Sequence, residues 1–146
     1  MSPCFIINVR NERVVLIVQV LKDELRHKIL LESEHLFLQR GYDRTSLQMI
    51  ADKVNISKSN LYHYFKNKEE LFYELTDSAA DGLKRMILRF RSMRFDLNMD
   101  AQEFRMLLTE EVLSLLLAEK YGLLLIMEQA NGTRYENLRP VMIELI

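Results

Sequence analysis

An all-α fold follows from three features of this chain. Only two prolines, Pro3 and Pro140, and four glycines occur in 146 residues, so few positions interrupt a helix. From residue 67 onward Leu, Glu, Lys, Arg and Met dominate, and these residues favour helix interiors. Apolar side chains recur at three- and four-residue intervals behind capping signals, rather than in the alternation a strand would show. The pattern predicts a three-helix head (residues 22–72) containing a helix-turn-helix. A long helix joins the head to a helical body (residues 73–146), and an atypical extension precedes it (residues 1–21).

Residues 1–21 do not share the helical pattern. Val14 to Val18 is a β-branched apolar run broken by Gln19, far short of the ~20 apolar residues that cross a bilayer. It has neither a basic opening nor a small-residue cleavage site to make it a signal segment. The expectation is a short strand or a partly ordered extension. A second reading places it upstream of a natural start near Val20 or Leu21, which N-terminal sequencing of native protein beginning at Met1 would refute.

The head begins with DELRHKILLESEHLFLQR, residues 23–40. Leu25, Ile29, Leu36 and Phe37 fall near one helical face, with Ser33 between them. Asp23 and Glu24 are expected in the first turn and Arg40 in the last, as the helix dipole prefers. Gly41 suits the left-handed position that ends a helix. His27 and His35 are eight residues apart with no cysteine nearby, so solvated histidines are expected rather than ligands.

Thr45 to Phe65, TSLQMIADKVNISKSNLYHYF, reads as two short helices around a corner. Thr45 opens a capping box with Gln48, and its hydroxyl beside the free N–H groups of the helix would suit a phosphate. Leu47, Ile50, Ala51 and Val54 form the apolar face. Asn55 tolerates the left-handed corner. Ser57 caps the next helix, expected to run to about Tyr64, with Leu61 and Phe65 turned back toward Ile50 and Phe37. Lys58, Ser59, Asn60, Tyr62 and His63 are then left outward, and such side chains are used on phosphates and base edges.

Net charge is −1 over the whole chain, yet charge is distributed unevenly. Lys53, Lys58, Lys66 and Lys68 occur with one histidine and no acid between residues 53 and 68, whereas acids outnumber bases twelve to nine from Tyr73 to Ile146. A basic patch beside a mildly acidic body points to an anionic partner for one end only. Lys68 opposes the dipole of the helix it opens, which is understandable if a phosphate sits there.

Asn67 and Glu70 form a second capping box that starts the long helix. Leu71, Leu75, Ala79, Leu83, Met86 or Ile87, and Phe90 carry its apolar stripe to about residue 93. A break is expected at residues 94–98. Residues 100–119 then form a helix with Phe104, Leu107, Leu108, Val112, Leu115 and Leu116 inward. The direction changes at Tyr121-Gly122, a buried helix spans Leu123 to Ala130, and Thr133 with Glu136 caps a last helix. That helix ends in VMIELI without a C-cap, so the body is expected to be cut short of a natural end or to pair with a partner there. Met86, Phe90, Met93, Phe104, Met106, Tyr121 and Met127 are candidates for an effector pocket, since methionine suits adaptable apolar sites. The bland alternative is that they are core.

Residues 29–72, ILLESEHLFLQRGYDRTSLQMIADKVNISKSNLYHYFKNKEELF, closely resemble the DNA-binding head of the TetR family of bacterial transcriptional regulators. The resemblance is carried in order by Ile29-Leu30, Leu36-Phe37, Gly41-Tyr42, Thr45-Ser46, Ile50-Ala51, Ile56-Ser57, Leu61-Tyr62, Tyr64-Phe65 and Lys68-Glu69-Glu70-Leu71. It implies a homodimer on a near-palindromic operator, usually a repressor, whose helical body binds a small molecule that loosens the grip on DNA. Thr45 or Ser46, Tyr62 and Lys68 match positions that commonly hold phosphates; Lys58, Ser59, Asn60 and His63 match positions facing the major groove. Asn55 replaces the glycine usual at the corner. The resemblance covers about a third of the chain, and no subfamily matches the body. The two terminal helices such regulators commonly use to dimerise have no counterpart here.

Other classes are disfavoured. No GxGxxG, P-loop, HExxH or Ser/His/Asp constellation occurs in a recognisable context, so an enzyme is not expected, nor is a cofactor or a metal. Cys4 has no partner for a disulfide or a ligand set and nothing nearby to activate it. The expected compartment is the cytoplasm. The remaining rival is a helical interaction module, or an incomplete regulator, whose head does not bind an operator; a flat salt dependence of DNA affinity would identify it.

Overall fold

A computed structural model describes residues 9–93 and 100–140. Cys4, the expected break at residues 94–98 and the terminal VMIELI lie outside the described residues. The helices are α1 (Val9–Arg40), α2 (Leu47–Val54), α3 (Lys58–Leu61), α4 (Lys68–Met93) and α5 (Ala101–Glu128). No strand occurs among the described residues, and no described helix is long and apolar enough to cross a membrane.

The first departure from expectation lies in α1. The Val14–Val18 run is neither a strand nor an irregular extension, because the helix begins at Val9 and passes through residues 21 and 22 without interruption. Elongating an existing helix adds a hydrogen bond for each residue fixed, whereas β-branching costs only a few tenths of a kcal/mol per residue. Asp23 and Glu24 therefore sit in mid-helix, where Asp23 accepts a bond from Gln19 Nε2 (2.9 Å). Val14 to Val18, Val20 and Leu21 are all exposed. Packing begins at Leu25.

From there α1 supplies Ile29, Leu36 and Phe37 to the core. Ser33, fully buried, satisfies its hydroxyl by donating to Ile29 O at 2.6 Å. The helix ends as its sequence indicates. Gly41 has φ +86°, and its N–H closes on Phe37 O at 2.8 Å, the single bond of a left-handed cap. Phe37 lies at the centre of the head, its ring 5.4 Å from Phe72 and 5.8 Å from Tyr42. Phe72 was not on the apolar stripe read from α4, yet it is fully buried.

Asn67 Oδ1 accepts from Glu70 N (2.7 Å) and Glu70 Oε2 from Lys66 N (2.6 Å), a reciprocal cap opening α4. Packed along α4, α5 carries a kink at Glu119 (φ −126°, ψ 27°), close to the change of direction expected at Tyr121-Gly122. Gly122 marks a close approach to the α4 backbone: a Cβ there would lie 2.8 Å from Ala79 Cβ and 3.0 Å from Leu75 O. Before the kink α5 has no fully buried side chain, and Leu116, expected inward, is half exposed. After it, Leu125 and Ala130 enter the same core as Ile29 and Phe37. The body thus reaches back into the head. Residues 131–137 form consecutive turns in place of the expected helix start, and Thr133 Oγ1 bonds Ala130 O (2.7 Å).

Candidate nucleic-acid interface

The corner between α2 and α3 is built as the sequence suggests. Asn55 holds φ 62°, ψ 46°, the left-handed conformation asparagine tolerates, and Ile56 N bonds Ala51 O (3.0 Å). Ser57 Oγ accepts from Asn60 N (3.1 Å). Leu61 and Phe65 anchor the segment by full burial. The α-helical part of α3 is shorter than expected. Beyond Leu61, His63 N bonds Asn60 O (3.1 Å) and Tyr64 N bonds Leu61 O (2.9 Å), the i to i+3 pattern of a tightening last turn.

On the outer side Lys58, Ser59, Tyr62 and His63 are exposed and Asn60 is half buried. Lys58 Nζ stands 5.9 Å from the Tyr62 ring centre. These five side chains occupy one short surface. Ser46 is exposed at the start of α2 and caps it, accepting from Met49 N at 3.2 Å.

Thr45 departs from its expected role. Ser46, not Thr45, is the cap. Thr45 is 2% exposed, and its Oγ1 donates to Gly41 O (2.8 Å), with Leu36 O at 3.3 Å. A hydroxyl turned inward onto the end of α1 is not available to a phosphate. A one-residue shift in the cap is invisible in the sequence TS, because both residues cap well.

Lys68 occupies an intermediate position. Its ammonium donates to Tyr42 O (2.7 Å) and lies 4.1 Å from the Tyr42 ring centre. Burial lowers its pKa, partly opposed by Asp43. An ammonium has three N–H groups, so Lys68 both fastens the α1–α2 corner and retains donors for an anion.

Of the candidate effector residues, only Met86 lines the cleft between residues 78–89 of α4 and residues 111–119 of α5. That cleft has a volume of about 390 Å³ and includes Ser78, Arg85, Arg89, Glu111 and Leu115. Phe90 and Phe104 meet edge to face at 6.1 Å outside it. Met106 and Tyr121 are exposed, Met127 is half buried, and the side chain of Met93 falls outside the described surface. These residues share a type but are distributed over α4 and different sides of α5, so they do not converge on one cleft.

Contacts with no sequence signal fasten residues 129–135 to the α1–α2 corner and to α4. Tyr42 N bonds Gln129 O (3.4 Å). The Arg134 guanidinium lies 3.8 Å from the Tyr73 ring centre and pairs with Asp77. Tyr135 OH donates to Asp77 at 2.6 Å. Burial, then the bond to Asp77, push the Tyr135 pKa up to about 12. These partners lie 57 to 87 residues apart in sequence.

Residues 29–75 match the family model for bacterial regulatory proteins, tetR family. The biofilm operon icaADBC HTH-type negative transcriptional regulator IcaR of Staphylococcus epidermidis is 34% identical over 65 residues, 44% of this chain and 35% of that protein. The HTH-type transcriptional activator FasR of Mycolicibacterium smegmatis is 34% identical over 62 residues, 42% of this chain and 28% of that one. Among solved structures, the TetR family regulator PfmR of Thermus thermophilus matches with TM-score 0.52 and 26% identity over 79% of this chain and 60% of its own. NalD of Pseudomonas aeruginosa, the secondary repressor of the MexAB-OprM multidrug efflux pump, matches with TM-score 0.51 and 25% identity over 85% and 61%. The probable transcriptional regulatory protein RHA5900, at TM-score 0.58 and 21% identity over 82% and 64%, shares the fold.

Residues 29–75 therefore match the helix-turn-helix head of TetR-family regulators. The chain spans about a third of the length of these curated relatives and about three fifths of these solved chains.

Proposed function

We propose that this chain is a DNA-binding transcriptional regulator, acting as a homodimer on a near-palindromic operator. The single observation that carries the reading is the family-matched head, whose α3 surface turns Lys58, Ser59, Tyr62 and His63 to solvent. In this reading α3 enters the major groove. Lys58, Ser59, Asn60 and His63 meet base edges and nearby phosphates, while Ser46, Tyr62 and Lys68 hold the backbone. Repression is favoured by the names of IcaR and NalD, against activation by FasR. The effector enters the α4–α5 cleft, and the protein works in the cytoplasm, where its DNA lies.

The test is fluorescence anisotropy with labelled duplex DNA flanking the gene, against random-sequence duplex, across a range of salt. Affinity should fall steeply as salt rises, and Lys58→Ala should reduce the slope of log affinity against log salt by about 0.9 per lost phosphate contact. A flat response to salt, or equal affinity for all sequences, would refute operator binding.

A further inference from the structure

The charges that line the α4–α5 cleft are unevenly matched. Arg89 of α4 pairs with Glu111 of α5. At the opposite end Glu119 Oε1 accepts from Ser78 Oγ at 2.5 Å. Arg85 lines the same cleft and enters no ion pair among the described residues.

Gly82 shows where that guanidinium sits. It is buried, and a Cβ there would stand 2.5 Å from Leu115 Cδ1 and 3.8 Å from Arg85 Nη2. The missing side chain leaves the floor open, with a cation on one side and a leucine methyl on the other. Met86, half buried, continues the apolar wall. Gly82 and Ser78 are one turn apart on α4, ~6 Å along its axis. Over that length the cleft offers an unpaired guanidinium, then hydrocarbon, then a carboxylate.

The two ends select opposite chemistry. A guanidinium with no partner suits a carboxylate, which it can hold through two parallel N–H bonds. At the far end Glu119 repels a second negative charge, and the Ser78 proton is already given to Glu119. A volume of about 390 Å³ is at the small end of ligand pockets, so the tail must be short.

We propose that the cleft binds a small monocarboxylate with a short apolar tail. Its carboxylate lies on Arg85, and its tail runs past Leu115 and Met86 toward the Ser78–Glu119 bond. The proposal rests on the effector part of the function above and names the ligand class. The tail end of the cleft is also where α5 departs from helical geometry, at Glu119 (φ −126°, ψ 27°). Beyond that kink Leu125 and Ala130 enter the core of the head. Gln129 O then accepts from Tyr42 N, and Tyr42 O holds the Lys68 ammonium. A ligand pressed against the Ser78–Glu119 bond thus bears, through the kink, on a lysine assigned to the DNA backbone.

Isothermal titration of the full chain near neutral pH with sodium hexanoate, hexanamide and sodium adipate tests it. Hexanoate should bind at millimolar concentration or below. Hexanamide, of similar shape without the charge, should bind ~10-fold more weakly. Arg85→Gln should weaken hexanoate binding ~10-fold or more and leave hexanamide unchanged. Its thermal unfolding should match the wild type, because the Arg85 side chain is exposed and in no ion pair. Adipate sets a second carboxylate toward Glu119 and should bind more weakly than hexanoate; Glu119→Gln should raise adipate affinity ~5-fold. Saturating hexanoate should weaken operator binding ~10-fold in the wild type and not in Arg85→Gln. Equal affinity for hexanoate and hexanamide overturns the proposal, as does hexanoate binding that survives Arg85→Gln or no hexanoate binding at millimolar concentrations. DNA anisotropy on the same samples separates the two readings. Operator binding without hexanoate binding sinks only the ligand class, and hexanoate binding that depends on Arg85 without operator binding supports the site while sinking the regulator.

Discussion

Thr45→Val separates the two roles a threonine at the foot of α2 could play. The substitution keeps the shape of the side chain and removes the hydroxyl. Thr45 is buried, and its Oγ1 donates to Gly41 O at 2.8 Å, so the variant strands a part-buried carbonyl just after the end of α1. Losing an ordinary hydrogen bond costs ~1 kcal/mol, and a stranded acceptor raises the cost to roughly 1–2 kcal/mol. For a chain of this size that lowers the melting temperature by about 3–8 °C. Thermal unfolding followed by circular dichroism measures this, and DNA titrations on the same preparation at several salt concentrations measure the second quantity. The salt slope should not change, because a hydroxyl facing the core neutralises no phosphate. A variant as stable as the wild type whose salt slope falls by about 0.9 would refute the reasoning and return Thr45 to the DNA surface.

Three further outcomes follow from the packing. Phe37→Ala empties the centre of the Phe37–Tyr42–Phe72 cluster and should cost ~3–5 kcal/mol; a urea midpoint within experimental error of the wild type would contradict that placement. Gly132 has φ +76°, and an added Cβ would stand 2.7 Å from Asp43 Oδ1. Gly132→Ala should therefore cost ~1–2 kcal/mol in left-handed strain plus a displacement of Asp43, and Asp43→Ala should recover the second part in a double-mutant cycle. Tyr135 keeps its proton more tightly folded than unfolded, with its pKa raised from 10.0 to about 12. Its stabilising contribution is complete below pH 10 and is lost as pH rises from about 10 to about 12, where the folded state binds more protons than the unfolded one. The stability difference between wild type and Tyr135→Phe should shrink across that window, and a constant difference would contradict the assignment.

Local chemistry set much of the head in advance. Gly41, Asn55, Ser57 and the Asn67–Glu70 box each act within four residues, so spacing alone locates the end of α1, the corner, the α3 cap and the start of α4. The outward set on α3 was legible for the same reason: Leu61 and Phe65 fix which side faces in. Failures occurred where neighbours in sequence offered equal local choices, as with Thr45 and Ser46. They occurred again where a helix could extend at little cost, as at Val14–Val18.

The chain by itself therefore determined most helix boundaries of the head, its corner and the residues left exposed around α3, because capping, backbone conformation and periodicity act over a few residues. The tertiary structure alone decided which threonine or serine faces out and that Lys68 is shared with the Tyr42 carbonyl. It also decided which side of α5 meets α4 and that residues 129–135 fasten to the α1–α2 corner and to α4. Each of those depends on groups distant in sequence competing for the same buried space or the same hydrogen bond, and spacing along the chain carries no record of that competition.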